Sequence, residues 1–185
     1  MHDEHTTDGG RRLGECGRGT TIHPSVVIVE PASVCLGHDV TIEPLAVLMG
    51  DARGELRVGS GTLIAPHAYL QGLGGLRIGE RVGVGAGVVM LTAVHAEMPP
   101  GEPITAAPLR YGPIDVGDGC DLGVGSILLP GTCLGPGVQV GAGAVVRGIH
   151  PAGSVIAGVP ARLLRMRGEG DWASGLSAAP RNASE

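Results

Sequence analysis

The chain has 185 residues, a size that fits one domain, and a net charge of -5 with arginine as its only strong base, which excludes a basic nucleic-acid surface. With 34 glycines, no phenylalanine and 43% hydrophobic residues, its core must be built from Val, Leu, Ile and Ala. No run is long and apolar enough to cross a membrane, His2, Asp3, Glu4 and His5 leave no signal peptide, and four cysteines show neither zinc spacing nor disulfide density; the expectation is a cytoplasmic protein.

Residues 1–20 are polar and glycine-rich and read as a flexible lead-in. A first, irregular coil starts near Ile22 and Ile28. Then come aliphatic anchors six apart in sets of three: Leu36, Ile42 and Leu48, then Val58, Ile64 and Leu70, then Ile78, Val84 and Met90. First anchors of successive sets lie 22 and 20 residues apart, so extra residues bulge out near Gly50-Asp51-Ala52-Arg53 and Gly72-Leu73-Gly74-Gly75. From Met90 the next anchor is Val116, a step of 26 that throws out a loop over residues 92–113.

From residue 116 to 147 the period does not slip. Val116, Leu122, Leu128, Leu134, Val140 and Val146 are the anchors, and Cys120, Ser126, Thr132, Val138 and Ala144 follow four residues after the first five. A fixed short period marks a solenoid, because one unit buries its apolar face only by stacking on the next. One large aliphatic per six fills a narrow axis, and a small residue at the other inward position lets the chain turn a corner. Gly and Pro at the turns would break a helix. Three sixes therefore make one triangular coil. A last partial coil runs from His150 to Pro160, and residues 165–185 read as a disordered tail containing Trp172. The ordered domain is expected over 21–164.

The segments Val116-Gly117-Asp118-Gly119, Leu128-Leu129-Pro130-Gly131, Val140-Gly141-Ala142-Gly143-Ala144-Val145-Val146 and Ala157-Gly158-Val159-Pro160-Ala161 resemble the hexapeptide-repeat acyltransferases, and within them the sugar and xenobiotic O-acetyltransferases. The resemblance covers residues 22–165. It implies an all-β fold, a left-handed parallel β-helix with one protruding loop, assembled as a homotrimer with acetyl-CoA between neighbouring prisms. The left hand comes from the resemblance alone, since parallel crossovers are normally right-handed.

His95 stands three residues into the long loop, in Leu91-Thr92-Ala93-Val94-His95. Moving an acyl group from a thioester to a hydroxyl calls for a base that titrates near neutrality, and histidine is the natural one. On its position alone His95 reads as a solvated loop residue before it reads as a base. The resemblance assigns it the base, because family members carry a Thr-x-x-His-like stretch at the mouth of this loop. Glu97 or a backbone carbonyl would orient the ring. His67 replaces the small amide the family commonly has beside the acceptor, and either binds an acceptor hydroxyl or faces solvent. Glu97, Glu102, Arg110 and Tyr111 are expected to shape the acceptor pocket. His67 and His95 lack a close third histidine, so no metal is expected.

By the same resemblance Gly123 and Ala142 meet the pantetheine arm of the cofactor. Asp121 and Val124 depart from the family's aromatic and polar residues and alter one wall of that channel. Arg165 matches a terminal basic residue and Arg147 replaces a hydroxyl residue near the same phosphate. The two arginines either grip the 3′-phosphate or are exposed solubilising residues. The reading is acetyl transfer from acetyl-CoA to a hydroxyl of a sugar or sugar-bearing small molecule. The alternatives are N-acetylation of an amino sugar and a non-catalytic scaffold, which the departures at His67, Asp121 and Val124 leave open.

Overall fold

The computed structural model describes residues 13–170. Among them the chain climbs in triangular turns, each adding one short strand to each of three parallel sheets. Sheet I has seven strands: Glu15–Cys16, Val34–Leu36, Leu56–Val58, Leu76–Ile78, Ile114–Val116, Cys133–Leu134 and Ile149–His150. Sheet II has eight: Thr21–Ile22, Thr41–Ile42, Leu63–Ile64, Gly83–Val84, Asp121–Leu122, Gln139–Val140, Ser154–Gly158 and Ala161–Met166. Sheet III has six: Val27–Val29, Val47–Met49, Tyr69–Gln71, Val89–Met90, Ile127–Leu128 and Val145–Val146. All neighbouring strands run parallel except the last pair of sheet II, which turns back at a cis Val159–Pro160 bond. The architecture is that of a left-handed parallel β-helix of about seven turns.

The six-residue register is the reason these strands form. From Val34–Leu36 to Val145–Val146 each strand of the three sheets places at least one apolar anchor inward, and the anchors of one sheet stack in a column. Ile22, Ile42, Ile64, Val84, Leu122, Val140 and Ile156 make the column of sheet II. All anchors from Leu36 to Val146 are buried, most of them completely. Burying a Val, Leu or Ile side chain stabilises by about 1.5–3 kcal/mol, so the stack of anchors supplies the main driving force. The small residues four positions later serve the corners. Cys120 and Thr132 are buried and spend their polar atoms on corner carbonyls: the Cys120 thiol donates to Gly135 O at 3.3 Å, and the Thr132 hydroxyl donates to Leu129 O at 2.7 Å.

Departures from the six-step put chain outside the prism at the corner between sheets III and I. After Ile28 a 3-10 turn, Pro31–Ser33, absorbs two extra residues. At the next turns an antiparallel bridge closes Asp51 onto Gly54, and Gly75 N bonds Gly72 O at 2.9 Å. The long loop leaves from this same corner. Pairing begins at Glu15, inside the segment expected as a lead-in, and continues to Met166, past the expected boundary at 164. Trp172 lies outside the described residues.

Candidate active site

The loop of residues 92–113 is built as a two-stranded antiparallel ribbon. Ala93–His95 pairs with Leu109–Tyr111, placing Ala93 opposite Tyr111, Val94 opposite Arg110 and His95 opposite Leu109. Ala96 N extends the pairing to Pro108 O at 2.8 Å, and a 3-10 turn at Ile104–Ala106 closes the tip. The alternation of a strand sets which side chains share a face, so His95 and Ala93 lie on the opposite side of the ribbon from Val94.

His95 is exposed at the end of its strand, and its Nδ1 lies 3.4 Å from the carbonyl oxygen of Ala107. A carbonyl only accepts, so this contact is a hydrogen bond when Nδ1 carries the proton. Nε2 is then the free base nitrogen. Of the two candidate orienting groups, the ring therefore meets a backbone carbonyl; Glu97 is exposed two residues on.

Tyr111 stands across from Ala93, 45% exposed. Its hydroxyl accepts from Arg53 Nη1 at 3.0 Å, and the guanidinium also lies over the ring, 5.4 Å from its centre. Arg53 in turn binds Asp51, with Nε to Oδ1 at 3.0 Å, and these hydrogen bonds hold the Asp51 carboxyl below its ordinary range. The bulge at residues 51–54 thus reaches two turns along the prism to touch the ribbon.

The other predicted site residues stand elsewhere. His67 is exposed at the corner between sheets II and III, on the far side of sheet III from the ribbon. Its φ of 61° is left-handed, as is the 63° of Leu45 one turn below, whereas Gly87, Gly125 and Gly143 hold the same corner position on later turns. Gly123 and Ala142 stack at this corner on successive turns. A Cβ added to Gly123 would come within 2.5 Å of Ala142 N, so only glycine permits that approach. Val124, 60% exposed, and Asp121, which accepts from Gln139 Nε2 at 3.3 Å, lie beside them.

Arg147 is exposed in the turn between sheets III and I, while Arg165 lies on the last strand of sheet II and donates to Met166 O at 3.1 Å. The two arginines are on different sides of the prism, with no bond joining them among the described residues. Two depressions of about 390 and 580 Å³ run along sheet I and its corner with sheet II, lined in part by Arg57, Glu80 and Asp118. Neither contains His95 or His67. Among the described residues no three His, Cys, Asp or Glu side chains are grouped so that they could hold a metal ion.

The residue that sequence reasoning passed over, Gln71, sits at the root of the ribbon. Gln71 Oε1 accepts from both Thr92 N, at 3.1 Å, and Ala93 N, at 3.0 Å. Thr92, fully buried, donates its hydroxyl to Gln71 O at 2.8 Å, accepts from Gly74 N at 2.9 Å, and accepts from Gly112 N on its carbonyl at 2.9 Å. A signal was available. Gln71 is the amide among the outward residues of sheet III that precede the loop, where Val27, Val29, Val47 and Met49 are apolar.

No protein-family model and no curated protein matches the chain. Solved structures do. A variant of AntD, an N-acyltransferase from Bacillus cereus, in complex with dTDP and coenzyme A superposes with a TM-score of 0.74 at 23% identity, over 84% of each chain. Another AntD variant, in complex with dTDP-4-amino-4,6-dideoxyglucose and coenzyme A, gives 0.61 at 21% identity over 84% of each chain. A hexapeptide-repeat-containing acetyltransferase from Vibrio cholerae O1 biovar eltor, complexed with acetyl coenzyme A, gives 0.63 at 21% identity, over 83% of this chain and 71% of that one. At these identities the likeness is one of fold.

Proposed function

We propose that the protein transfers an acetyl group from acetyl-CoA to a hydroxyl of a sugar or sugar-bearing small molecule, with His95 as general base. The observation that carries the proposal is the base-bearing ribbon itself, set on a prism whose structural neighbours include an N-acyltransferase and an acetyltransferase complexed with CoA species. With Nδ1–H turned to Ala107 O, Nε2 takes the acceptor's proton as its oxygen attacks the thioester carbonyl. The tetrahedral intermediate collapses, the C–S bond breaks, and the imidazolium returns the proton to the leaving thiolate. The products are the acyl ester and free CoA. No metal is called for in this scheme.

A second reading, acylation of an amine on a nucleotide-linked sugar, is favoured by the AntD complexes. It uses the same base, taking an N–H proton. Under either reading Gly123 and Ala142 would face the pantetheine arm, Arg147 and Arg165 the nucleotide phosphates, and His67, Glu97 and Tyr111 the acceptor. His67, Gly123 and Ala142 stand one sheet away from His95. The proposal therefore includes a homotrimer, in which the corner between sheets II and III of one copy meets the ribbon of the next.

Calorimetric titration of acetyl-CoA tests the donor site. Micromolar binding that weakens in Arg147→Ala and in Arg165→Ala supports it, and absence of binding to wild type sinks acyl transfer. His95→Ala should then lower kcat by about 10²–10⁴ with CoA affinity nearly unchanged. Full activity in that variant would remove His95 as the base. Paired acceptors differing only by hydroxyl or amine decide between the two readings.

A further inference from the structure

We infer that Gln71 is a positioning residue for His95, holding the base-bearing strand in the direction in which it leaves the prism; this rests on the acyl-transfer reading above. The physical problem lies at residues 91–93. In an uninterrupted turn the chain would cross to sheet I, where its N–H groups would find the next rung. Here it breaks away to begin the ribbon, and the amides of Thr92 and Ala93 are left at the branch point. A buried donor without a partner loses its hydration and gets nothing in return, so the branch is stable only if something supplies an acceptor.

Gln71 supplies it from the turn below. Its backbone stays in sheet III, opposite Met49, while its side-chain oxygen takes both orphaned N–H groups, at 3.1 and 3.0 Å. Two N–H donors converging on one atom also fix which end of the amide is oxygen. A single acceptor shared by consecutive amides defines a direction, because both peptide planes must face it. Thr92 locks the same point from within: its hydroxyl bridges Gln71 O and Gly74 N, and its carbonyl receives Gly112 N from the returning strand. At the far end the ladder carries the backbone, with His95 opposite Leu109 and Ala96 N bonded to Pro108 O at 2.8 Å, while the His95 ring has its 3.4 Å contact with Ala107 O. Three residues beyond an anchored branch point, a small change in exit angle moves the imidazole by a distance that matters to proton transfer. Misplacement of about 1 Å can cost about 100-fold in rate.

Gln71→Met removes the acceptor at nearly constant volume, and Gln71→Glu restores one in charge-assisted form. In Gln71→Met we expect amide hydrogen exchange at Thr92 and Ala93 to rise by about 10-fold or more. In the same variant kcat should fall by about 10–100-fold with KM for acetyl-CoA unchanged, because the Gln71 carboxamide bonds Thr92 and Ala93 and neither of the residues assigned to the arm, Gly123 and Ala142. Gln71→Glu should recover both. A merely structural role would lower the melting temperature without the split between kcat and KM and without rescue by Glu. Should the Met variant fail to fold, Gln71→Asn keeps the amide but withdraws it by one methylene and poses the same question. Ordinary exchange at Thr92 and Ala93, or an unchanged kcat, overturns the inference. The functional reading fails on a different result, namely wild-type protein that does not bind acetyl-CoA.

Discussion

A non-glycine residue at positive φ is strained, and two such residues, Leu45 and His67, occupy a corner position that later turns give to glycine. Strain of this kind costs about 1–3 kcal/mol and persists where something else requires the side chain. Because Leu45 has it too, the strain at His67 is a property of the corner, and it does not by itself argue for a role in catalysis. The two substitutions Leu45→Gly and His67→Gly separate the possibilities. Both should raise stability by about 1 kcal/mol, read as a higher denaturant midpoint. If His67 touches the acceptor, only His67→Gly should also raise the acceptor's KM. An unchanged KM returns His67 to the solvent. The sequence singled out His67 as a departure from a family pattern, but its backbone conformation was invisible there, since histidine does not announce φ as glycine does.

The prism was legible because its period is rigid. Every anchor from Leu36 to Val146 was placed correctly by counting sixes, and the misfits of the count fell where the chain bulges, at residues 50–53 and 72–75 and in the long loop. What the count could not reach was the loop's interior. The pairing of Ala93 with Tyr111, the Ala107 carbonyl beside His95 and the carboxamide of Gln71 all depend on contacts between segments without a shared period. Arg53 belongs with them: an exposed bulge arginine that reaches Tyr111 and steadies the ribbon from the side. Solvent screens exposed contacts of this kind and leaves them weak, so removing the guanidinium should loosen the ribbon without unfolding the prism. In Arg53→Ala, cleavage by a glutamate-specific protease at Glu97 and Glu102 should quicken by about 5-fold or less. Tyr111→Phe should show the smaller part of that effect, because the cation still rests on the ring. The Asp51 carboxyl is held below its ordinary value of 3.8, so the Asp51–Arg53 contribution is complete above that pH and fades as pH falls through the lowered value. Protection from proteolysis should therefore be flat across neutral pH. Unaltered cleavage in Arg53→Ala would mean that the ribbon stands without this contact.

At the scale of the molecule the three faces of the prism differ in chemistry. Sheet I presents Arg57 and Arg77 in register, bound to Glu55 at 2.7 Å and Asp115 at 2.6 Å. Sheet II presents Thr21, Thr41, Leu63, Gly83, Asp121 and Gln139. Sheet III presents Val27, Val47, Tyr69, Val89, Ile127 and Val145, six turns without a charge. Closing a face on copies of itself strips water from whatever it presents, which penalises the ion pairs of sheet I and the Asp121 carboxylate of sheet II and leaves the uncharged ladder of sheet III free of that cost. That asymmetry singles out sheet III as the face on which the proposed homotrimer closes. It is also the face flanked by the ribbon on one edge and by His67, Gly123 and Ala142 on the other, so closure there would complete a site that one chain leaves divided. Light scattering on the wild-type protein should give the mass of three chains at micromolar concentration. Ile127→Glu and Val89→Glu, each placing a charge in the middle of the ladder, should shift that mass toward a single chain and abolish acyl transfer together. Thr41→Glu on sheet II should leave both as they are. A wild-type mass of one chain, or a trimer indifferent to a glutamate at Ile127, would move the interface off sheet III and with it the account of how the two halves of the site meet.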